Sequence, residues 1–540
     1  MIKSIRIRVR PEVWADPQRL EQEVCQQNAI SPRHLGGIRT VHRSIDARQR
    51  QVMIQLDLDV YIDEQPPQVL FTPRQYREAR GDKQAIVVGL GPGGLFAALK
   101  LIELGIRPIV LERGRNVTDR RRDVAQITRQ QQVDPESNFC FGEGGAGAFS
   151  DGKLFTRSKK RGSVQTILER LCQFGADTGI LDASHPHIGT DRLPGVIANI
   201  REEILRCGGQ IHFETRMTDL IVRDGRVCGV ITAAGEEFLG PVILATGHSA
   251  RDVYRMLHRE EVPLLSKGIA MGVRLEHPQQ LIDQIQYHSR EGRGQWLPAA
   301  EYSFVTQCQE RGVYSFCMCP GGVVVPSATG PEQVVVNGMS SSARGSRWAN
   351  SAMVVEIRPA DAQQMLAECH EESLPTLQFL SQMGCKDAGT SPLAVMALQE
   401  YVERLAWLNG GRTQVAPAQR MTDFVRGHVS DSVAPSSYAP GVVASPLHFW
   451  MPQFISSRLR EGFEVFGRNA RGFLTDQATL IAAETRTSSP VRIPRDKDSL
   501  CHPTVQGLYP CGEGAGFAGG IVSAAMDGER CAMALVAGEF

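Results

Sequence analysis

The sequence predicts an α/β fold: a Rossmann-like nucleotide-binding domain, discontinuous along the chain, with an inserted α+β substrate or cap domain and a small N-terminal α+β domain. Three observations carry this. From Gln84 the chain alternates apolar runs, glycine turns and helical stretches, as a doubly wound sheet requires. The same alternation returns in 491–540, after a stretch, 261–490, that mixes strands and helices with many Gly, Ser and Pro turns. Finally, 540 residues exceed what one hydrophobic core serves, so several packed units are expected.

Residues 1–80 read as the first unit, with strands near 3–9, 38–44 and 52–60 and a helix near 17–27. The prolines and charges of 65–82 interrupt any periodicity and read as a linker. The nucleotide-binding domain is expected over 83–260, its strand, turn and helix alternation running to about Ser158 and a further buried strand ending in the glycine turn at Gly247. The cap is expected over 261–490 and the returning part of the nucleotide domain over 491–540.

Composition excludes several classes. Lys+Arg and Asp+Glu are equal at 59 each, which removes any global electrostatic argument for nucleic acid or an anionic membrane. Apolar residues, 42% of the chain, are dispersed, and no apolar run is long enough to span a bilayer. The N-terminus alternates charged and apolar residues and lacks the apolar core of a signal peptide. Thirteen scattered cysteines suit a reducing compartment, so a cytoplasmic location is expected. The tightest pair, Cys317-Met318-Cys319, reads as redox thiols, half a metal site or two ordinary thiols; no second pair completes a ligand set, and no metal is expected.

The nucleotide signal begins with the β-branched run 84–88, which feeds into Gly89, Gly91 and Gly94, with Pro92 and Gly93 between them, and then a helix over 95–104. The first glycine permits the tight turn, the second lets backbone approach a pyrophosphate, and the third lets helix and strand pack closely. The free amides and positive dipole end of the helix face the phosphates. A second strand, 108–111, ends at Glu112, an acid placed to accept from ribose hydroxyls and to repel a 2′-phosphate. That suits FAD or NAD rather than NADP. Arg113 is counted with the same site.

Two further stretches decide between these. The segment 504–513 resembles the second FAD signature of glutathione-reductase-like flavoproteins, in which an apolar strand ends in a glycine and an acid; here these are Gly512 and Glu513. The resemblance implies that the acid holds a ribityl hydroxyl, although those families mostly carry Asp, one methylene shorter. The stretches 140–154 and 512–528, with 44–48, 245–249, 272–278, 314–322, 337–340 and 484–490, are similar to the bacterial uncharacterised FAD-dependent dehydrogenase family along the whole chain. That resemblance implies the fold and a bound FAD.

The residues agree with it. Gly145, Ala146 and Gly147 form a side-chain-poor loop suited to pass close to a flat ring, with Ser150, Asp151, Gly152 and Lys153 as polar anchors. Gly519 and Gly520 precede a helix over 521–536, so its N-terminus, at Ile521, is expected at the flavin pyrimidine edge. Thr246 and Gly247 are expected on the adenosine side.

The chemistry expected is hydride transfer between FAD and a small molecule, with the cofactor carrying the reaction. No second strand-linked G-x-G-x-x-G appears, so NAD(P)H is expected only as a transient visitor. His185 and His187, on one side of an extended segment, are candidate acid, base or carboxylate-binding groups. Arg486 is a candidate clamp for an anionic substrate. Arg274, Glu276 and His277 read equally as cap lining or structural pairs. Two other classes stay open: a flavoprotein of tRNA modification, with Arg115, Arg120, Arg121, Arg122 and Arg129 as its basic run, and a non-catalytic flavin-binding scaffold.

Overall fold

A computed structural model of the chain describes residues 1–79, 81–156, 162–369 and 373–540. Ser158 lies outside these. Among the described residues of 65–82 there is neither helix nor strand, as proline and charge dictate.

The N-terminal unit is a three-stranded antiparallel sheet in which Met53–Ile62 lies between Ile2–Val9 and Leu35–Asp46. The helix Pro17–Asn28 covers one face. Asp16 caps it, accepting from the amides of Gln18 and Arg19 at 3.0 and 3.3 Å, and Pro17 suits its first turn. Its Val24 and Cys25 pack on Ile54, Leu56 and Leu58. The second strand starts earlier than the sequence predicts because Gly36 and Gly37 do not break it. A Cβ at Gly36 would overlap the Glu64 carbonyl, so glycine here permits a close backbone approach.

The central sheet is parallel, with strands in the order Leu508–Pro510, Val242–Leu244, Gln84–Val88, Arg107–Leu111, Gln210–His212. Its apolar runs are buried on both faces, as parallel strands require. The helices Pro92–Glu103 and Ile521–Glu539 pack together on one face, where Gly528 lies so close to the Gly93 carbonyl that any Cβ would overlap it. On the other face lies a three-stranded antiparallel sheet, Met217–Arg223, Arg226–Thr232 and Glu237–Leu239, which shares a core with Ile86, Val88 and Val242.

Of the remaining strands, Val323–Pro326 with Val336–Met339 and Leu265–Ser266 with Val491–Arg492 pair as two-stranded sheets, and the others form a seven-stranded sheet. At its centre Trp348–Ile357 and Ile269–Pro278 pair antiparallel, flanked by Arg311–Cys319 and Thr479–Glu484. The helices Ala394–Asn409 and Gln453–Asn469 contribute to its apolar core. Among the described residues no helix is long and apolar enough to cross a membrane.

Candidate functional site

A cavity of about 580 Å³ opens at the carboxyl ends of the parallel strands, between the central sheet and the seven-stranded sheet. Ligands of open α/β sheets bind at such strand ends. Two helix N-termini reach it, at Pro92 and Ile521. Each is preceded by a glycine, Gly91 or Gly520, that offers no side-chain cap, so the first amides remain available to an anionic group.

The glycines divide into two kinds. Gly89, at φ +99°, lies 2.5 Å from the Ala245 carbonyl oxygen measured from where a Cβ would stand, and a Cβ at Gly94 would overlap the Gly89 carbonyl. Both hold the turn together. Gly94, expected among the cofactor-binding residues, therefore packs beneath the turn instead of lining the cavity. Gly247, Gly512, Gly519 and Gly520 have nothing within 4 Å of a Cβ position. They form a cradle that side chains would fill, and all four line the cavity. So do the other cofactor-binding residues expected from sequence, from Gly91 to Ile521.

Glu112 is buried, and it organises the loops around it. One oxygen accepts from the Leu90 amide at 2.8 Å and the other from the amides of Gly114 and Gly142 at 3.0 Å each. A carboxylate has about four acceptor positions, so about one remains for a hydroxyl. Arg113 bridges Glu136 at 2.9 Å and Asp252 at 3.0 Å and lies over the Phe141 ring.

The loop after the helix Val117–Gln130 is held by Arg120, whose fully buried guanidinium donates to the carbonyls of Asn138, Phe139 and Glu143 at 2.7, 2.8 and 2.7 Å. Arg115 is likewise engaged, with Asp123 at 2.6 Å. The basic run thus splits: Arg120 clamps a loop, while Arg121, Arg122 and Arg129 are exposed on one helix. The side-chain-poor glycine loop is a short 3-10 turn, Gly145–Gly147. Beyond it Ser150 donates to the Gly147 carbonyl at 2.8 Å, Asp151 accepts from Ser340 and Arg344, and Lys153 donates to the Met318 carbonyl. Lys153 thus ties the loop to the seven-stranded sheet at Met318, and Asp151 ties it to the segment 340–344.

His185 and His187 do not reach the cavity wall. Their segment runs behind Lys153, which bridges to His187. The exposed His185 ring bonds Glu301 at 2.6 Å and stands edge-on to Phe155, while His187 Nε2 lies 3.2 Å from the Ser342 carbonyl oxygen. Arg486 does line the cavity, but its guanidinium is committed: Nε and Nη2 each donate to Glu403 at 3.1 Å, and Nη1 donates to Thr329 at 3.0 Å. It supports the wall and has no free fork for a substrate carboxylate. Arg251 completes the cluster with bonds of 2.9 and 2.7 Å to the same carboxylate. Burial alone would raise the Glu403 pKa, yet the two guanidiniums hold it down at about 2.

Two lining groups, Glu484 and His248, were not singled out by sequence reasoning. Glu484, at the end of an apolar strand, accepts from Arg274 at 3.3 Å; burial pushes its carboxyl up to about 7 against that guanidinium. Arg274 also bonds Asn350 at 2.8 Å and the Cys317 carbonyl at 2.8 Å, so it stands just behind the wall. Glu276 and His277 are structural, accepting from the Ser437 amide at 3.1 Å and donating to the Phe473 carbonyl at 2.8 Å. His248, directly after Gly247, is kept neutral by burial and by Arg486, Arg251 and Lys267, its pKa lowered to about 3. Glu513 is pushed up to about 7 by burial, with Lys267 opposing. The glycine cradle, the two uncapped helix ends and the remaining acceptor of Glu112 together fit a dinucleotide such as FAD.

Residues 268–487 match the family described as FAD-dependent protein, C-terminal domain-like, and residues 1–61 match a domain of unknown function. A protein of Clostridium beijerinckii, described as an uncharacterized protein, is 38% identical over 532 residues, covering 95% of each chain. Among solved structures, CtdE in complex with FAD is 11% identical over 84% of each chain with a TM-score of 0.30. Tetracycline destructase Tet(51) is 11% identical over 55% of this chain and 66% of its own, with a TM-score of 0.26. At those scores the structural likenesses carry no argument. The identity along 95% of both chains does: the protein belongs to the family of the Clostridium beijerinckii protein, and it carries the C-terminal module of FAD-dependent proteins.

Proposed function

We propose that the protein is an FAD-dependent oxidoreductase, a cytoplasmic dehydrogenase with one dinucleotide site of the glutathione-reductase-like kind. It passes a hydride between flavin and a small molecule, with NAD(P)H at most a transient visitor. The observation that carries this is the glycine cradle at the strand ends, open at Gly247, Gly512, Gly519 and Gly520 and faced by two uncapped helix N-termini. In this reading 83–260 and 491–540 form the cofactor unit and 261–490 closes over it.

Bound flavin supplies reversible two-electron chemistry. The chain's own residues then have distinct tasks. The Gly93 amide, the first one free at that helix N-terminus because Pro92 has no N–H, would face the pyrophosphate, Glu112 would accept a ribose hydroxyl, and Glu513 would accept from the ribityl chain. The helix starting at Ile521 brings its positive end to the cavity and would favour negative charge on a flavin edge held there. Glu484, its carboxyl pushed up to about 7 by burial, exchanges a proton readily at neutral pH on the wall formed by the seven-stranded sheet.

Anaerobic mixing of the flavin-loaded protein with NADH, NADPH and a metabolite panel, followed at the flavin's visible absorbance, tests the reading. Bleaching by at least one donor is expected. Flavin that is reduced by light and by no donor would overturn it in favour of a scaffold role.

A further inference from the structure

The strand Arg311–Cys319 departs from regular pairing where it meets the cavity. Phe316 pairs with Ala352 and Cys319 with Asn350, so the strand carries one extra residue in a bulge, and Cys317 within it takes φ +46°. Both Cys317 and Cys319 line the cavity, and Cys317 is the one exposed cysteine among the described residues.

The surroundings of the two thiols are built. Arg274 donates through Nη2 to the Cys317 carbonyl at 2.8 Å and approaches Cys319 Sγ at 3.4 Å. Lys153 donates to the carbonyl of Met318, the residue between them. Cys319 Sγ in turn donates to the Cys317 carbonyl at 3.4 Å. Two cations thus hold successive carbonyls of the bulge. Residues two apart in a fully extended chain are separated by roughly 7 Å, just beyond the roughly 4.4–6.8 Å that a disulfide spans, and the bulge with its positive φ at Cys317 departs from full extension between the two thiols.

We propose that Cys317 and Cys319 form a redox-active dithiol that exchanges two electrons with the flavin. This rests on the FAD reading above. In the step, both S–H bonds break and one S–S bond forms; two electrons and one proton pass to oxidised flavin, and the second proton leaves to a nearby base or solvent. The reverse step opens the disulfide at the expense of reduced flavin. Desolvation at the cavity wall raises both thiols against the pull of Arg274 and Lys153, so the pair rests protonated, and the same two cations stabilise a thiolate formed during exchange. The substrate class such a pair serves is a small disulfide, reduced to two thiols by exchange with the dithiol.

Anaerobic reductive titration of the flavin-loaded protein, first treated with a mild thiol oxidant, tests this. Wild type is expected to take up about four electrons per flavin, and Cys317→Ser or Cys319→Ser about two, at unchanged flavin content. A wild-type uptake of about two electrons overturns the dithiol while leaving the flavin reading intact; absence of bound flavin overturns that reading itself. Loss of two electrons in Cys531→Ser, whose thiol lies near Cys511, instead of in the Cys317 and Cys319 variants would also overturn it. Should the variants fail to fold, alkylation mapping on wild type decides: both cysteines are expected to be blocked after oxidation and free after reduction, and two free thiols in both states contradict the proposal.

Discussion

Glu403 sits fully buried between the guanidiniums of Arg251 and Arg486, with Thr485 donating to it at 2.7 Å. Removing its charge leaves two buried cations facing one neutral amide. Glu403→Gln is therefore expected to lower stability by about 3–5 kcal/mol in chemical unfolding, and a loss under about 1 kcal/mol would contradict the cluster's role. Glu513 gives a pH signature. Its carboxyl titrates near 7 in the folded protein against the ordinary 4.5, so the folded state favours the protonated form. The stability from this group is full below about pH 4.5 and is lost as pH rises through 7. In cofactor-free protein, Glu513→Gln is thus expected to gain thermal stability relative to wild type between pH 5 and about 8; a difference flat across that range would count against it. At this scale the sequence marked Arg486 as unusual but assigned it a free fork. Its partner Glu403 lies on the inner face of a distant helix, and no local pattern links the two. His185 and His187 failed for a related reason: spacing puts two imidazoles on one side, and only tertiary packing decides that this side backs the wall.

Elements were more legible, because turn chemistry is local. The run 84–88, its glycines and the helix beginning at Pro92 appear as expected, since few residues other than glycine accept φ +99° at Gly89 or the contact at Gly94. Gly94→Ala is expected to cost about 1–3 kcal/mol in thermal unfolding, its methyl overlapping the Gly89 carbonyl. Gly519→Val should do the opposite: with ordinary backbone and open space, it keeps the fold and weakens FAD binding at least about tenfold. A variant with wild-type affinity would remove the cradle argument. What stayed hidden were long-range devices. The Arg120 clamp needs the loop 138–143 folded around it, the strand containing Gly36 and Gly37 needs Glu64 opposite, and the bulge at Cys317 needs the register of its neighbour.

For the whole molecule, the cavity lies between the central parallel sheet and the seven-stranded sheet, so a dinucleotide there contacts both. FAD at about a hundred times its Kd should then stabilise the protein by about 2.7 kcal/mol, seen as a concentration-dependent rise in Tm. The most direct measurement of the central claim is equilibrium titration of flavin-free protein with FAD, wild type beside Gly91→Val. A Cβ at Gly91 would meet only the Gly145 Cα, at 3.9 Å, so the variant should fold while its side chain blocks the backbone's approach to the pyrophosphate. One FAD per wild-type chain and loss of binding in folded Gly91→Val are expected; wild type that takes up no FAD, or a variant that binds it as wild type does, would contradict an FAD site at this turn.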